Sequence, residues 1–376
     1  MTPEEVALLS ELTIIIPTYN RPLELERAIE YWRDTPITVH ILDGSEKPWF
    51  PVGPLPRALN TTYHHFPIRE EEGQKENYLY RIKTGVALSN TKYSALCADD
   101  DIFLLEGVAK AIKLIKSNKN IDSVTGQNCW YLNTNTDVLW IKEGSQNCEI
   151  ERFHPEISRR IFSKVLIPNY YGIFKTEIWK QIHEVQTSYC FKNLVCNEFL
   201  THFLILILSR NFVINSHLWV RNHNHPNPSG ISDNQVKFGD WINHKKNREE
   251  VEIFIKTLSN SILTIDPSIS RNTAENLVRL MLSRVPRNRP TYKQMFERKV
   301  KSRLLFSLSY LPKIVRHELF IRLPYQLQER IGNDDFKINF KPTHFVEEEI
   351  SRSFEFKNWK NILLMPREEL RLRANI

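Results

Sequence analysis

The sequence predicts an α/β protein: a doubly wound, mostly parallel sheet over residues 1–240, followed by a basic, mostly helical region over 241–376. Three observations carry this. Short, continuous apolar runs alternate with segments of helical spacing over roughly the first 120 residues. Those runs are β-branched and lack polar alternation, as strands buried on both faces do. Beyond 240 the apolar residues keep helical spacing, punctuated by Pro286, Pro290, Pro312 and Pro324.

The first strand is read in Leu12-Thr13-Ile14-Ile15-Ile16, ended by Pro17. Pro22 suits the first turn of a helix, and Leu23, Leu25, Ala28, Ile29 and Trp32 supply its apolar face. Ile37 to Leu42 reads as a second buried strand closed by Asp43-Gly44-Ser45, and Thr61 to Phe66 as a third. Gln74 to Ser89 has helical spacing. Lys92 to Cys97 is again a strand, running into Ala98-Asp99-Asp100-Asp101, with a helix from about Leu104 to Ser117. Further on, Asp122–Trp130 and Asp137–Ile141 read as a strand pair, Glu198–Arg210 as a buried helix and Phe212–Val220 as a strand. In such sheets ligands bind outside the carboxyl ends of the strands, and the polar motifs fall there.

Composition narrows the class. The chain has 376 residues, 41% hydrophobic and 25% charged, an ordinary globular balance. The residues from Met1 to Glu11 lack the basic flank and apolar stretch of a signal peptide. The longest purely apolar run, Phe203–Leu208, falls far short of the roughly 20 residues that span a bilayer. Cys97, Cys129, Cys148, Cys190 and Cys196 are odd in number and form no CxxC, which argues against a disulfide framework or a zinc site and for a reducing, cytoplasmic setting. The net charge of +7 is uneven: residues 241–376 hold 26 Lys+Arg against 16 Asp+Glu, a net of +10. In 298–322, Arg298, Lys299, Lys301, Arg303, Lys313, Arg316 and Arg322 interleave with an apolar stripe. Such a stripe serves either as a helical cap on the main domain or as a peripheral attachment to the inner face of a membrane.

Three strand-end motifs carry the chemistry. In Ile14-Ile15-Ile16-Pro17-Thr18-Tyr19-Asn20-Arg21-Pro22 a strand ends in a tight polar turn before a helix, where a nucleotide can meet backbone N–H groups. No glycine is present, so this is not a phosphate-cradling loop. Asp43 closes the second strand, where a carboxylate can accept from a nucleobase or ribose. Asp-Gly is also an ordinary turn dipeptide. The run Asp99-Asp100-Asp101 crowds three carboxylates at a buried strand end, which a divalent cation would relieve. Hard oxygen ligands suit Mg²⁺ or Mn²⁺, which also bridge substrate phosphates. A helix N-terminus also favours acids.

The order IIIPTYNRP, LDGS, ADDD resembles the family 2 glycosyltransferases of the GT-A fold, over roughly residues 10–220. The resemblance implies a metal-dependent transferase acting in polysaccharide biosynthesis, binding a nucleotide-sugar donor with Pro17, Thr18, Tyr19, Asn20, Arg21, Asp43, Asp99 and Asp100. It implies Mn²⁺ or Mg²⁺ on Asp99 and Asp101, with three consecutive Asp residues leaving the ligand open among them. It also implies a basic residue on the helix before the Asp-rich strand, Arg81 or Lys83, near the diphosphate. Inverting members carry a carboxylate base at the start of a helix beyond the sheet. Glu198 matches that position, although Phe199 stands where the family has Asp. A late-loop histidine often joins the metal or diphosphate, which points to His223 in the run His217–His225. The expected partners are the donor and a glycan or lipid-linked acceptor, with no nucleic acid. The donor base, the sugar and the oligomeric state are not legible. A sugar nucleotidyltransferase is the enzyme alternative, against which the missing Gly-rich loop speaks. A non-catalytic carbohydrate-binding protein is the other, and it would have no need of three crowded carboxylates.

Overall fold

The computed structural model describes residues 1–56, 58–67, 73–133, 138–141, 150–152, 156–161, 170–222, 238–285, 361–365 and 369. Helix α1 (Pro3–Leu9) starts on a capping box, Thr2 accepting from the Glu5 N–H while Glu5 reaches back to Thr2. Next come β1 (Leu12–Thr18), α2 (Pro22–Trp32), β2 (Thr38–Asp43), β3 (Gly53–Leu55), β4 (Ala58–His65), α3 (Gly73–Leu88), β5 (Tyr93–Leu96), β6 (Ile102–Phe103) and α4 (Leu105–Ser117). The second half contributes β7 (Ser123–Asn133), β8 (Val138–Ile141), β9 (Ile150–Arg152), α5 (Ile157–Ile161), β10 (Ile173–Lys175), α6 (Thr176–Gln186), α7 (Leu194–Leu208) and β11 (Asn211–Asn222). Helices α8 (Phe238–Asn243), α9 (Arg248–Ile265) and α10 (Arg271–Ser283) come last.

The strands form one sheet in the order β3-β4-β2-β1-β5-β10-β7-β11-β6, with β8 added to β7 and β9 to β11. Strands β4, β2, β1 and β5 pair in parallel, as do β7 and β11, while β10 runs antiparallel between β5 and β7. The six therefore point one way, and β3, β10 and β6 the other. This is the mostly parallel α/β class expected.

Strand β1 shows why both faces must be apolar. Ile14 and Ile16 join Leu25, Ile29 and Trp32 of α2 and Val108 and Ile112 of α4 in one core. Ile15, between them, joins Ile82 and Val86 of α3, Trp179 of α6, Leu200 and Leu204 of α7 and Phe254 of α9 in a second core on the opposite face. Successive strand residues point to opposite faces, so an unbroken apolar run is the signature of a sheet covered on both sides.

Four expectations change in the structure. Strand β1 continues through Pro17 to Thr18 rather than ending before it. Helix α7 begins at Leu194, capped by Asn193, so Glu198 lies in its second turn and does not open it. Strand β10 was not visible in the sequence, being three residues long. The division at 240/241 does not appear in the packing: Phe254, Ile255, Leu258 and Ile262 of α9 and Val278 of α10 lie in the same core as α7, and Trp241 is buried with them. The basic stripe at 298–322 lies outside the described residues. Among those described, no helix is long and apolar enough to cross a membrane.

Candidate active site

Three adjacent strands, β2, β1 and β5, deliver their carboxyl ends to one place. In register, Thr18 lies beside Asp43, and the strand-end backbone is tied across by the Gly44 N–H donating to the Thr18 carbonyl at 3.0 Å. Asn20 comes next with φ 53, a left-handed turn that asparagine tolerates, and its N–H donates to Ser45 Oγ at 2.9 Å. The first two motifs therefore form one continuous turn region.

Asp43 is fully buried. Its Oδ1 accepts from the Ser45 N–H at 2.8 Å and the Ser45 hydroxyl at 2.6 Å, and its Oδ2 accepts from the Tyr63 hydroxyl. Burial and this bond push the Tyr63 phenol well above its ordinary range. Against the same turn lies Arg81. A Cβ placed on Gly44 would fall 1.1 Å from an Arg81 guanidinium nitrogen, so the glycine is what lets the guanidinium sit there. Arg81 is 3% exposed, yet among the described residues its Nε and one terminal nitrogen have no hydrogen-bond partner. Burial lowers its pKa, and Tyr78, Asp43 and Tyr19 hold it up. A buried cation with unmet donors is costly unless an acceptor meets it.

The Asp run is held differently. Asp99 accepts from the Thr18 hydroxyl at 2.6 Å and from Arg21 at 2.5 Å; Arg21 also donates to Asp100 Oδ2 at 2.7 Å. Asp101 accepts from Trp219 Nε1 at 3.2 Å and from the Asn222 N–H at 2.9 Å. Burial holds Asp99 above the ordinary carboxylate range, Arg21 pulling it down and Asp100 pushing it up. Burial and Asp100 raise Asp101 further.

These bonds decide how a divalent cation fits. Both oxygens of Asp99 and both of Asp101 are engaged by protein donors, and no cluster of three His, Cys, Asp or Glu side chains among the described residues could enclose a metal. Every side-chain bond to Asp100 falls on Oδ2. The expected ligands Asp99 and Asp101 are thus turned to protein donors, and a divalent cation would find only one carboxylate oxygen of Asp100 not engaged by a side chain, taking the rest of its shell from phosphates and water. His223 lies outside the described residues.

Lys83 does not reach the site. Two residues beyond Arg81 on α3, it faces away and pairs with Glu184 of α6 at 2.8 Å, both side chains open to solvent. Helical geometry turns about 100° per residue, so Arg81 and Lys83 cannot share a face.

Glu198 lies on α7, beside Tyr78 and Tyr170. Its side chain keeps an open face to water, but dense surrounding protein raises its pKa, with Arg221 working in the opposite direction. Tyr78 feels Glu198, Arg81 and Asp99, and Tyr170 feels Glu198, Arg221 and Asp101. The two tyrosines are thus near enough to interact with both Glu198 and the Asp cluster. Trp219, stacked on Tyr171 at 3.8 Å, and Asn222 are site residues that the sequence reading missed. They sit on β11, paired with β7 but far from the motifs in sequence, and only a folded sheet brings them to Asp101.

No family model matches the chain, and no curated relative was found. Solved structures are similar in outline. The crystal structure of S. aureus TarS 1-349 in complex with UDP-GlcNAc is 14% identical with a TM-score of 0.47, covering 72% of this chain and 71% of that one. The crystal structure of S. aureus TarS is 12% identical with a TM-score of 0.45, covering 94% of this chain and 54% of that one. TarS 1-349 in complex with UDP gives 12% and 0.44, over 97% and 92%. At this distance the chemistry must come from the site's own residues.

Proposed function

We propose that this protein is a glycosyltransferase of the kind its motif series resembles, moving a sugar from a nucleoside diphosphate to a hydroxyl of a glycan or lipid-linked acceptor with inversion at the anomeric carbon. The observation that carries the reading is the buried guanidinium of Arg81, seated on Gly44 beside Asp43 with donors unmet. A carboxylate and a guanidinium side by side offer an acceptor and donors to the polar edge of a nucleobase. The adjoining Asp99–Asp101 turn then faces the diphosphate.

Glu198 is assigned as the base. Its raised pKa makes it a better proton acceptor near neutral pH than an ordinary glutamate. The acceptor oxygen forms its bond to the anomeric carbon as the bond from that carbon to the diphosphate oxygen breaks. The electron pair leaves on the nucleoside diphosphate, and the acceptor proton passes to Glu198. Mg²⁺ or Mn²⁺ held by Asp100 would supply charge stabilisation to the departing diphosphate. Arg221 lies near Glu198 and Asp101 and adds positive potential on that side. Arg21 fixes Asp99 and Asp100, and Thr18 fixes Asp99.

A panel of UDP-, GDP- and dTDP-linked sugars, screened by thermal shift with and without Mn²⁺, tests the donor site, because a specific ligand raises the melting temperature. Stabilisation by none of them would end the glycosyltransferase reading. For the base, Glu198→Gln keeps shape and donor binding but cannot take the proton. Transfer should fall by at least ~100-fold, within the usual worth of a general base. Near-parental turnover would remove Glu198 from the mechanism.

A further inference from the structure

Strands β1 and β5 pair in parallel, so the turns that follow them lie side by side. Asn20 takes a left-handed turn after β1, Pro22 starts α2, and Arg21 is the cap residue between them. Its guanidinium reaches across to the turn after β5. Nη1 donates to Asp99 Oδ1 at 2.5 Å and Nη2 to Asp100 Oδ2 at 2.7 Å. The Arg21 side chain is 22% exposed, against 2% for Asp99 and 11% for Asp100. A planar fork bridging two carboxylates, mostly out of water, makes short charge-assisted bonds that a lysine could not match in geometry.

The other oxygens of this turn are engaged as well. Asp99 Oδ2 accepts from the Thr18 hydroxyl, and the Asp101 carboxylate accepts from Trp219 and Asn222. The Asp100 carbonyl accepts from the Tyr131 hydroxyl at 2.7 Å, the Asp101 carbonyl from the Cys97 thiol at 3.4 Å and the Ala98 carbonyl from the Asp101 N–H at 3.2 Å. One oxygen of Asp100 is a small share of the octahedral oxygen shell that Mg²⁺ demands. A cation placed on it would also stand close to the guanidinium that holds the other oxygen of the same carboxylate, and like charges repel. A diphosphate changes both conditions. Its oxygens fill the shell, and its negative charge answers the metal and the guanidinium together.

We propose that Arg21 is the resident counter-ion of the Asp run, which keeps divalent metal out of the unliganded protein, so that the metal enters with the donor diphosphate and not before it. The inference rests on the donor site proposed above. It makes Arg21 a positioning residue, acting on the metal through the two carboxylates it holds. Metal and diphosphate must then raise each other's affinity by the same factor, since coupling between two ligands is reciprocal. An ion pair that served the fold alone would leave metal affinity unchanged when the guanidinium is removed.

The test is a Mn²⁺ titration of the full chain, followed by electron paramagnetic resonance, in which the signal of the aqueous ion weakens as the ion is bound. It is run with Mn²⁺ alone and with UDP, GDP or dTDP, corrected for what the nucleotide binds without protein. The parent should take up Mn²⁺ at least ~10-fold more tightly with a nucleoside diphosphate than without, within the usual range of coupling between sites. Arg21→Met frees Asp99 Oδ1 and Asp100 Oδ2, and should bind Mn²⁺ alone at least ~10-fold more tightly than the parent does. Arg21→Lys, whose ammonium cannot bridge both carboxylates, should gain part of that affinity, and it decides the matter if circular dichroism shows that the Met variant does not fold. Parental affinity for Mn²⁺ alone in the folded variant overturns the proposal. So does a nucleoside diphosphate that binds the parent and draws in no Mn²⁺. If none of the three nucleotides binds, the donor reading fails, and the comparison with Mn²⁺ alone still settles whether Arg21 excludes the metal.

Discussion

At the scale of residues, the candidate site depends on a close approach that only glycine allows. An Ala at position 44 would place its methyl on the Arg81 guanidinium, and the end of that side chain, being flexible, would move first. Gly44→Ala should therefore fold and still lose nucleotide affinity. The loss of one charge-assisted contact is worth about 1.5–3 kcal/mol, roughly 10- to 100-fold in Kd. Arg81→Met should match it, and the double variant should lose little more than either alone, since both remove the same contact. Calorimetry with a nucleoside diphosphate checks this; parental affinity in Gly44→Ala would mean that Arg81 does not touch the ligand. A second outcome at this scale concerns pH. His183 is held below its ordinary value of 6.5, at about 4, chiefly by burial. Between those values the unfolded chain binds the proton that the folded chain refuses, so stability is full above 6.5 and falls as pH drops towards 4. At about 1.4 kcal/mol per unit, the ring contributes on the order of 3 kcal/mol to that fall. His40, also pushed down to about 4 by burial and by His64, slopes the same way. Denaturant unfolding from about pH 7 to pH 4 should therefore be flatter in His183→Phe than in the parent. Equal slopes would assign the effect elsewhere.

Some of these residues were legible and some were not, for physical reasons. Asp43 and Asp99–Asp101 could be read because buried strands announce themselves as apolar runs, and the residues just after such a run lie at the ligand edge of the sheet. The orientation of each carboxylate could not be read. That Asp101 meets Trp219 and Asn222, or that Arg21 grips Asp99, depends on which distant strand lies alongside. Arg81 and Lys83 look alike in sequence, and only the phase of α3 separates the buried guanidinium from the surface ammonium.

At the scale of elements, long apolar runs were placed correctly and short ones were missed. Strands β1, β2 and β5 carry enough β-branched or apolar residues to be recognised, whereas β10 has three residues and draws its stability from two neighbours, β5 and β7. Helix α7 was recognised from its apolar composition, but its start was placed at Glu198, because the Asn193 cap is a single side-chain bond with no periodic signal. Another element carries a prediction. Near the end of the chain, Ile362 and Leu363 are 2% and 4% exposed and belong to the core beneath α1, α2 and α4, and Arg27 of α2 donates to the Leu363 carbonyl at 2.9 Å. Leu363→Ala should then behave as a core truncation, costing about 2–3 kcal/mol, at the low end of buried Leu-to-Ala changes. Urea unfolding measures it. A change within about 0.5 kcal/mol, the range of surface substitutions, would show that this segment does not hold to the core in solution.

At the scale of the whole molecule, the sheet has a separate core on each face, and the chain closes them with its later parts. The first face is completed by the segment around Leu363, the second by α9 and α10. This second closure bears on where the folding unit ends. Composition suggests a boundary at 240, where the acidic balance gives way to a basic one. Packing places α9 against α7, with Phe254 edge-on to Phe191 and Phe203 and tilted against Phe238. Phe254, Leu258, Ile262 and Val278 are all 0% exposed. Each buried side chain of this kind is worth about 1.5–3 kcal/mol, so removing the four, before counting the apolar surface they leave bare on Phe191, Phe203 and α7, costs as much as a typical domain's whole stability of about 5–15 kcal/mol. A chain cut after residue 240 should therefore fail to form a cooperative fold, although it retains Asp43, Arg81, Asp99–Asp101 and Glu198. Expressed alone, it should aggregate or show a broad, non-cooperative melt with strong dye binding, and it should bind no nucleotide sugar. A sharp melting transition in that fragment, with donor affinity equal to the full chain's, would place the boundary at 240 after all and make α9 and α10 an appendage.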